Sequence, residues 1–99
     1  MRSRIFSQRG ESVTRKLGEE SVIVPVRGDI ADLASVFVLN ESASVLWSKL
    51  AQSATEESLV QALLDEYELS PEQARTDVTT FIATLSDVGL VQAVANESP

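Results

Sequence analysis

Three helix-start signals limit the folds open to this chain more than any other feature. The clearest is Ser70-Pro71-Glu72-Gln73, which places a serine N-cap before a proline at the first helical position and a glutamine at the capping-box position. Asn40-Glu41 and Thr55-Glu56-Glu57 are the other two, each with a polar cap and an acid in the first turn. We therefore expect three helices from residue 40 onward, the last ending near Gly89.

Apolar residues recur at helical spacing in all three predicted helices, and we expect them to form the core. They are Ala43, Leu46, Trp47 and Leu50 in the first helix, Leu59, Val60, Leu63, Leu64 and Tyr67 in the second, and Ala74, Val78, Phe81, Ile82, Leu85 and Val88 in the third. Trp47 is interpreted as a core residue rather than a ligand anchor, because large aromatic side chains dominate core burial.

Before the helices, residues 13–17, 21–26 and 36–39 have the composition of short strands. Pro25 cannot donate to a strand ladder, so its part of the second strand should lie at an edge or a bulge. Residues 29–34 fit a loop or one helical turn, and residues 90–94 fit a short extended segment. The predicted fold is α+β and winged helix-turn-helix-like, with three short antiparallel strands followed by three helices.

The expected domain spans residues 13–94, between a flexible N-terminal tail at 1–12 and a polar tail at 95–99. A chain of 99 residues has the size of one compact domain. No apolar run approaches the roughly 20 residues of a membrane span, and no secretory signal follows the basic N-terminus. We therefore expect no membrane partner and a cytoplasmic location.

The chain contains no cysteine and no histidine. This excludes thiolate nucleophiles, disulfides, and metal sites that depend on sulfur or imidazole. It also removes the commonest general base near neutral pH. The acids stand mostly at helix starts and on polar helix faces, where capping and solvation explain them. We therefore expect no catalytic residues, no metal and no cofactor, and a binding module rather than an enzyme.

Charge is divided unevenly along the chain. Residues 1–27 hold six basic and three acidic residues, a net charge of +3, whereas residues 28–99 hold two basic and twelve acidic residues, a net charge of −10. The helical region therefore has the wrong sign to approach a phosphate backbone, and we expect no nucleic-acid partner. A winged-helix DNA-binding regulator remains the alternative from a different functional class.

The predicted strand Val36-Phe37-Val38-Leu39 has no polar residue on either face. A solvent-facing edge strand normally alternates between apolar and polar residues. Two interpretations stay open: the domain itself covers both faces, or one face or the open edge receives a partner segment as an added strand.

Residues 24–50 and 55–91 resemble the PqqD-like family, whose members are also called RiPP recognition elements. The matching features, in order, are Leu39-Asn40-Glu41 after a strand, the helical Leu46-Trp47, a second helix ending near Tyr67, Asp77-Val78 with Phe81 and Leu85, and a final Gly89-Leu90-Val91. Each element is common alone, but their order and spacing are moderately specific. The resemblance covers about residues 15–92.

The resemblance implies a peptide chaperone that binds the leader of a ribosomally made precursor peptide. The leader is expected to add as a strand beside the predicted strand at 36–39, in a groove walled by the third helix. A modifying enzyme, often a radical S-adenosylmethionine protein, then acts on the presented peptide. Carried over by position, the peptide-binding residues are Val36, Phe37, Val38, Leu39, Val78, Phe81, Ile82 and Leu85. A subunit that docks only to an enzyme, with no peptide ligand, is a further alternative.

Overall fold

The computed structural model describes residues 4–27 and 36–94. Within these ranges the chain forms six strands and three helices, with one 3₁₀ turn at Leu50–Gln52. In chain order the elements are β1 (Ile5–Gln8), β2 (Glu11–Leu17), β3 (Glu20–Arg27), β4 (Phe37–Leu39), α1 (Glu41–Lys49), β5 (Ala54–Thr55), α2 (Glu56–Glu66), α3 (Pro71–Asp87) and β6 (Val91–Val94). The α+β class is as predicted, but the described strands are twice as many as expected.

All three helices begin where the sequence predicts. The side-chain oxygen of each cap accepts a hydrogen bond from the backbone N–H three residues on: Asn40 from Ala43 at 2.9 Å, Thr55 from Ser58 at 3.0 Å, and Ser70 from Gln73 at 3.1 Å. These bonds satisfy donors that a helix N-terminus leaves without an intrahelical partner. At the other end of α3, Gly89 has a φ of +86°, the left-handed conformation that favours glycine after a helix.

Strands β2, β3 and β4 form one antiparallel sheet in that order. Gly18 begins the two-residue turn between β2 and β3 with a φ of +66°, as tight hairpins of this length require. Pro25 lies opposite Ser12, next to a register shift between Glu11 and Ser12. The predicted irregularity at this proline is therefore confirmed as a bulge in the ladder.

A second sheet has the order β5-β1-β6, with β1 in the centre. Ile5 pairs with Thr55 on one side and with Val94 on the other, and Phe6 is 3% exposed. The prediction of a flexible tail over residues 1–12 is therefore wrong for residues 5–8 and for the start of β2. Residues 5–8 pair with residues 48 or more positions away in the chain, which local sequence patterns do not reveal.

The core lies between the helices and the inner faces of the two sheets. Its fully buried side chains include Ile23, Leu46, Leu50, Leu59, Leu63, Val78 and Leu90. Trp47 is buried as predicted, and its indole N–H donates to the Thr14 hydroxyl at 2.9 Å. The predicted stripe of α2 is confirmed for Leu59, Val60 and Leu63, while Leu64 and Tyr67 are half-buried beside it.

Two predicted segments, residues 29–34 and the polar tail at 95–99, lie outside the described residues. Among the helices of the described ranges, none combines the length and apolarity that crossing a membrane demands.

Candidate functional site

Strand β4 is an edge of its sheet. It pairs with β3 along one side, and no strand of the described residues pairs with the other. Such an edge presents unpaired backbone N–H and C=O groups that an incoming extended segment can use. The N–H and C=O of one residue point to the same edge and alternate residues point to opposite edges, so the three residues of β4 offer only two or four of these groups.

The side chains of β4 separate into two environments. Phe37 and Leu39 face inward, the first half-buried and the second buried, whereas Val38 faces outward and is 64% exposed. Val38 lies opposite Val22 of β3, which is also only partly buried. The all-apolar strand therefore has an inner face covered by the domain and an outer face left open.

A groove of about 330 Å³ lies between α1 and α3 and reaches the end of β4; we call it the β4–α3 groove. One wall is formed by Leu39, Asn40, Ser42, Ala43 and Leu46. The facing wall belongs to α3 and is formed by Asp77, Thr80, Phe81, Thr84 and Leu85.

The β4–α3 groove has an apolar floor and a polar rim. Leu39, Leu46 and Leu85 are buried at its base, while Thr80 and Thr84 are exposed along its edge. This combination suits a ligand that buries alternate side chains and keeps the others in water. The groove can therefore accept an extended segment with apolar side chains on one face.

The structure brings together three of the eight residues that the sequence assigned to a peptide site. Leu39, Phe81 and Leu85 line the β4–α3 groove, and Phe37 packs against the core beside them. The other four lie elsewhere: Val36 and Val38 are exposed apart from the groove, Val78 is 0% exposed inside the core, and Ile82 faces the opposite side of α3.

Several groove residues were not predicted. On α3 they are Asp77, Thr80 and Thr84, which stand one position before the apolar residues of the stripe. A helical wheel places these three polar residues along one edge of that apolar stripe. This pattern could have identified them as candidates, because they lie on one edge of the apolar stripe. Only the position of α1 shows which edge of the stripe borders a groove.

A second groove, of about 430 Å³, lies on the other side of α3 against the face of β1 and β6; we call it the β6–α3 groove. Phe6, Ile82 and Val91 form its apolar part. Arg4 and Glu56 bring opposite charges to its lining, and the Arg4 guanidinium lies 5.1 Å from the centre of the Phe6 ring.

Residues 4–27 and 36–94 contain no group of three or more acidic side chains arranged to hold a metal ion. The chemistry that the two grooves offer is apolar contact, hydrogen bonding and charge pairing.

The chain matches a known protein family. Residues 20–91 fit the family described as Coenzyme PQQ synthesis protein D (PqqD). The chain belongs to the PqqD family. The matched range runs from β3 to the first residue of β6, and so contains both walls of the β4–α3 groove. The family resemblance predicted from the sequence is thereby confirmed.

A solved structure shares the fold. It is described as "TbiB1 in Complex with the TbiA(beta) Leader Peptide" and superposes with a TM-score of 0.74 at 21% sequence identity. The match covers 90% of this chain and 98% of that chain, which is more of this chain than the segment that fits the family. No curated protein sequence matches the chain.

Proposed function

We propose that this chain is a non-catalytic peptide-binding module that binds the leader of a ribosomally made precursor peptide and presents it to a modifying enzyme. The observation that carries the proposal is the open edge of β4 directly beside the apolar floor of the β4–α3 groove. An added strand can pair with that edge and place alternate side chains in the groove. Membership of the PqqD family and the fold shared with a leader-peptide complex support this proposal.

The strand edge can supply only part of the affinity. Two to four main-chain hydrogen bonds contribute about 1–6 kcal/mol in total, whereas micromolar binding needs about 8 kcal/mol. The remaining free energy, about 2 kcal/mol or more, requires burial of at least about 80 Å² of apolar surface. Because Leu39, Phe81 and Leu85 expose only 6%, 8% and 3% of their own surface, apolar side chains of the peptide must contribute most of that area when they enter the groove.

In this proposal, peptide binding and peptide modification belong to different proteins. Because the chain lacks cysteine and histidine, we assign the covalent modification of the peptide to a separate enzyme. The family resemblance favours a radical S-adenosylmethionine protein for that role. This chain then needs no cofactor of its own, and its place is the cytoplasm, where the precursor is made.

A matched pair of substitutions on α3 tests the proposal. Thr84 and Ala83 are adjacent and exposed, but Thr84 lines the β4–α3 groove and Ala83 lines the β6–α3 groove. Thr84→Arg should weaken leader binding at least about tenfold, or 1.4 kcal/mol, because the long side chain fills the groove. Ala83→Arg adds the same charge and should leave affinity within about twofold. Both should melt near the wild-type temperature, since exposed substitutions change stability by about 0.5 kcal/mol at most.

The measurement is isothermal titration with a synthetic leader, taken from the precursor-like reading frame next to this chain's gene. A loss caused by Ala83→Arg and not by Thr84→Arg would move the binding site to the β6–α3 groove. No binding by the wild-type chain, together with tight binding of the neighbouring modifying enzyme alone, would favour an enzyme-docking subunit.

The winged-helix alternative makes a separate prediction about nucleic acid. Helix α3 carries Arg75 against three acids, Glu72, Asp77 and Asp87. We expect no measurable binding of a labelled duplex in fluorescence anisotropy at physiological salt, because DNA binding depends on neutralising phosphates. Weak binding through the basic N-terminal region should disappear steeply as salt rises. Sequence-specific retention of DNA at physiological salt would contradict the peptide-binding proposal.

A further inference from the structure

One charged side chain borders the β4–α3 groove. Among the described residues that line it, Asp77 alone carries a charge, and all the others are apolar or neutral polar residues. Asp77 is half-buried, so it is partly removed from water even before a ligand arrives. A carboxylate placed beside an apolar floor favours a ligand that brings an opposite charge to that position.

The position of this carboxylate is held by its own helix. The Gln73 side-chain amide donates to one oxygen of Asp77 at 2.8 Å across one turn of α3. A carboxylate has two oxygens and about four acceptor sites, so this bond leaves acceptor capacity for a second donor. Gln73 does not line the groove, and the amide therefore orients the carboxylate from outside it.

We propose that the bound peptide carries a lysine or arginine that pairs with Asp77, on the same face as the apolar side chains that enter the β4–α3 groove. This inference rests on the proposed function, because it names the class of peptide that the groove selects. The strongly acidic charge of residues 28–99 acts in the same direction by attracting a basic segment from a distance. Asp77 is thus a specificity-determining residue for the leader.

The geometry of α3 also gives a spacing. Asp77, Phe81 and Leu85 are four residues apart, or about 6 Å of helix each. A strand running along the helix rises about 3.3 Å per residue, so 6 Å corresponds to about two residues. Alternate residues of a strand point to the same face. We therefore expect the peptide to carry a basic residue followed by two apolar residues, each two positions after the one before. The same pattern can run in either direction along the peptide, since the direction of the added strand is not fixed by this spacing.

The test combines Asp77→Asn with a matched control. Asparagine keeps the oxygen that accepts from Gln73 and removes only the charge. Asp87→Asn makes the same charge change at an exposed position on α3 that does not line the groove. In titrations with the synthetic leader, Asp77→Asn should weaken binding about threefold to tenfold, the range between an exposed ion pair and a charge-assisted hydrogen bond. Asp87→Asn should change it less than twofold.

Exchanging the charges identifies the residue of the peptide that pairs with Asp77. Each lysine and arginine of the leader is replaced in turn by glutamate and titrated against the wild-type chain and against Asp77→Lys. One replacement should weaken wild-type binding and restore binding to Asp77→Lys. Equal affinity of wild type and Asp77→Asn, with no replacement rescued, would overturn this inference and leave the proposed function standing. No binding of the unmodified leader to the wild-type chain would instead refute the proposed function itself.

Discussion

Replacing Phe81 with alanine is expected to cost about 3–5 kcal/mol of folding stability, as truncation of a buried phenylalanine commonly does. Phe81 is 8% exposed and belongs to the core cluster, although its remaining surface lines the β4–α3 groove. For a domain of this size each kcal/mol lowers the melting temperature by about 4–8 °C. Thermal unfolding followed by circular dichroism should therefore show a decrease of at least about 12 °C.

The matched variant for this position is Val38→Ala on the neighbouring strand. Val38 is highly exposed and faces away from the groove, so its truncation should change stability by no more than about 0.5 kcal/mol. It should also leave leader affinity within about twofold. If Phe81→Ala melts within 3 °C of wild type, Phe81 is not a core residue. If Val38→Ala weakens leader binding tenfold without loss of stability, the peptide contacts the outer face of β4 instead.

The helices could be predicted because their signals are local. Asn40, Thr55 and Ser70 each cap a helix through an atom three residues away, and each apolar stripe repeats within a single helix. Such information is contained in short windows of sequence. The same is true of the Gly89 stop, whose left-handed conformation depends on the residue type itself.

The β4–α3 groove could be predicted only in part, because periodicity identifies a buried face and not its neighbours. Val78, Phe81, Ile82 and Leu85 form one stripe on α3, yet the stripe borders two different grooves and the core. The helix packing that divides them depends on α1, β1 and β6, which are distant in sequence. Because those neighbours could not be predicted, the polar residues at the edge of the stripe, Asp77, Thr80 and Thr84, had no predicted role.

Strand β1 had no local signal that could distinguish it from a tail. Ile5 and Phe6 are its only large apolar residues, and arginines stand on both sides of it. Its partners, β5 and β6, are short and far along the chain. Pairings at long range are set by the whole fold rather than by propensity. The burial of Phe6 therefore appears only in three dimensions.

Phe6→Ala gives the second large expected effect, because Phe6 is buried at the centre of the β5-β1-β6 sheet. We expect a loss of about 3–5 kcal/mol from this truncation. Ser7 is the matched control: it is half-buried on the same strand, and its hydroxyl makes only a long 3.5 Å contact with the Gln92 amide. Ser7→Ala should therefore change stability by about 0.5 kcal/mol or less.

Deletion of residues 1–8 should be more damaging than either substitution. It removes β1, the strand that lies between β5 and β6, together with the hydrogen bond at 3.0 Å from the Gln8 amide to the Trp47 carbonyl. The total free energy of unfolding of a domain is about 5–15 kcal/mol, so the loss of a central strand can remove most of it. We expect urea unfolding of the deletion variant to lose its cooperative transition and leader binding to disappear with it. A cooperative transition with a midpoint close to wild type would show that β1 does not stabilise the domain, and that residues 1–8 behave as the tail their sequence suggests.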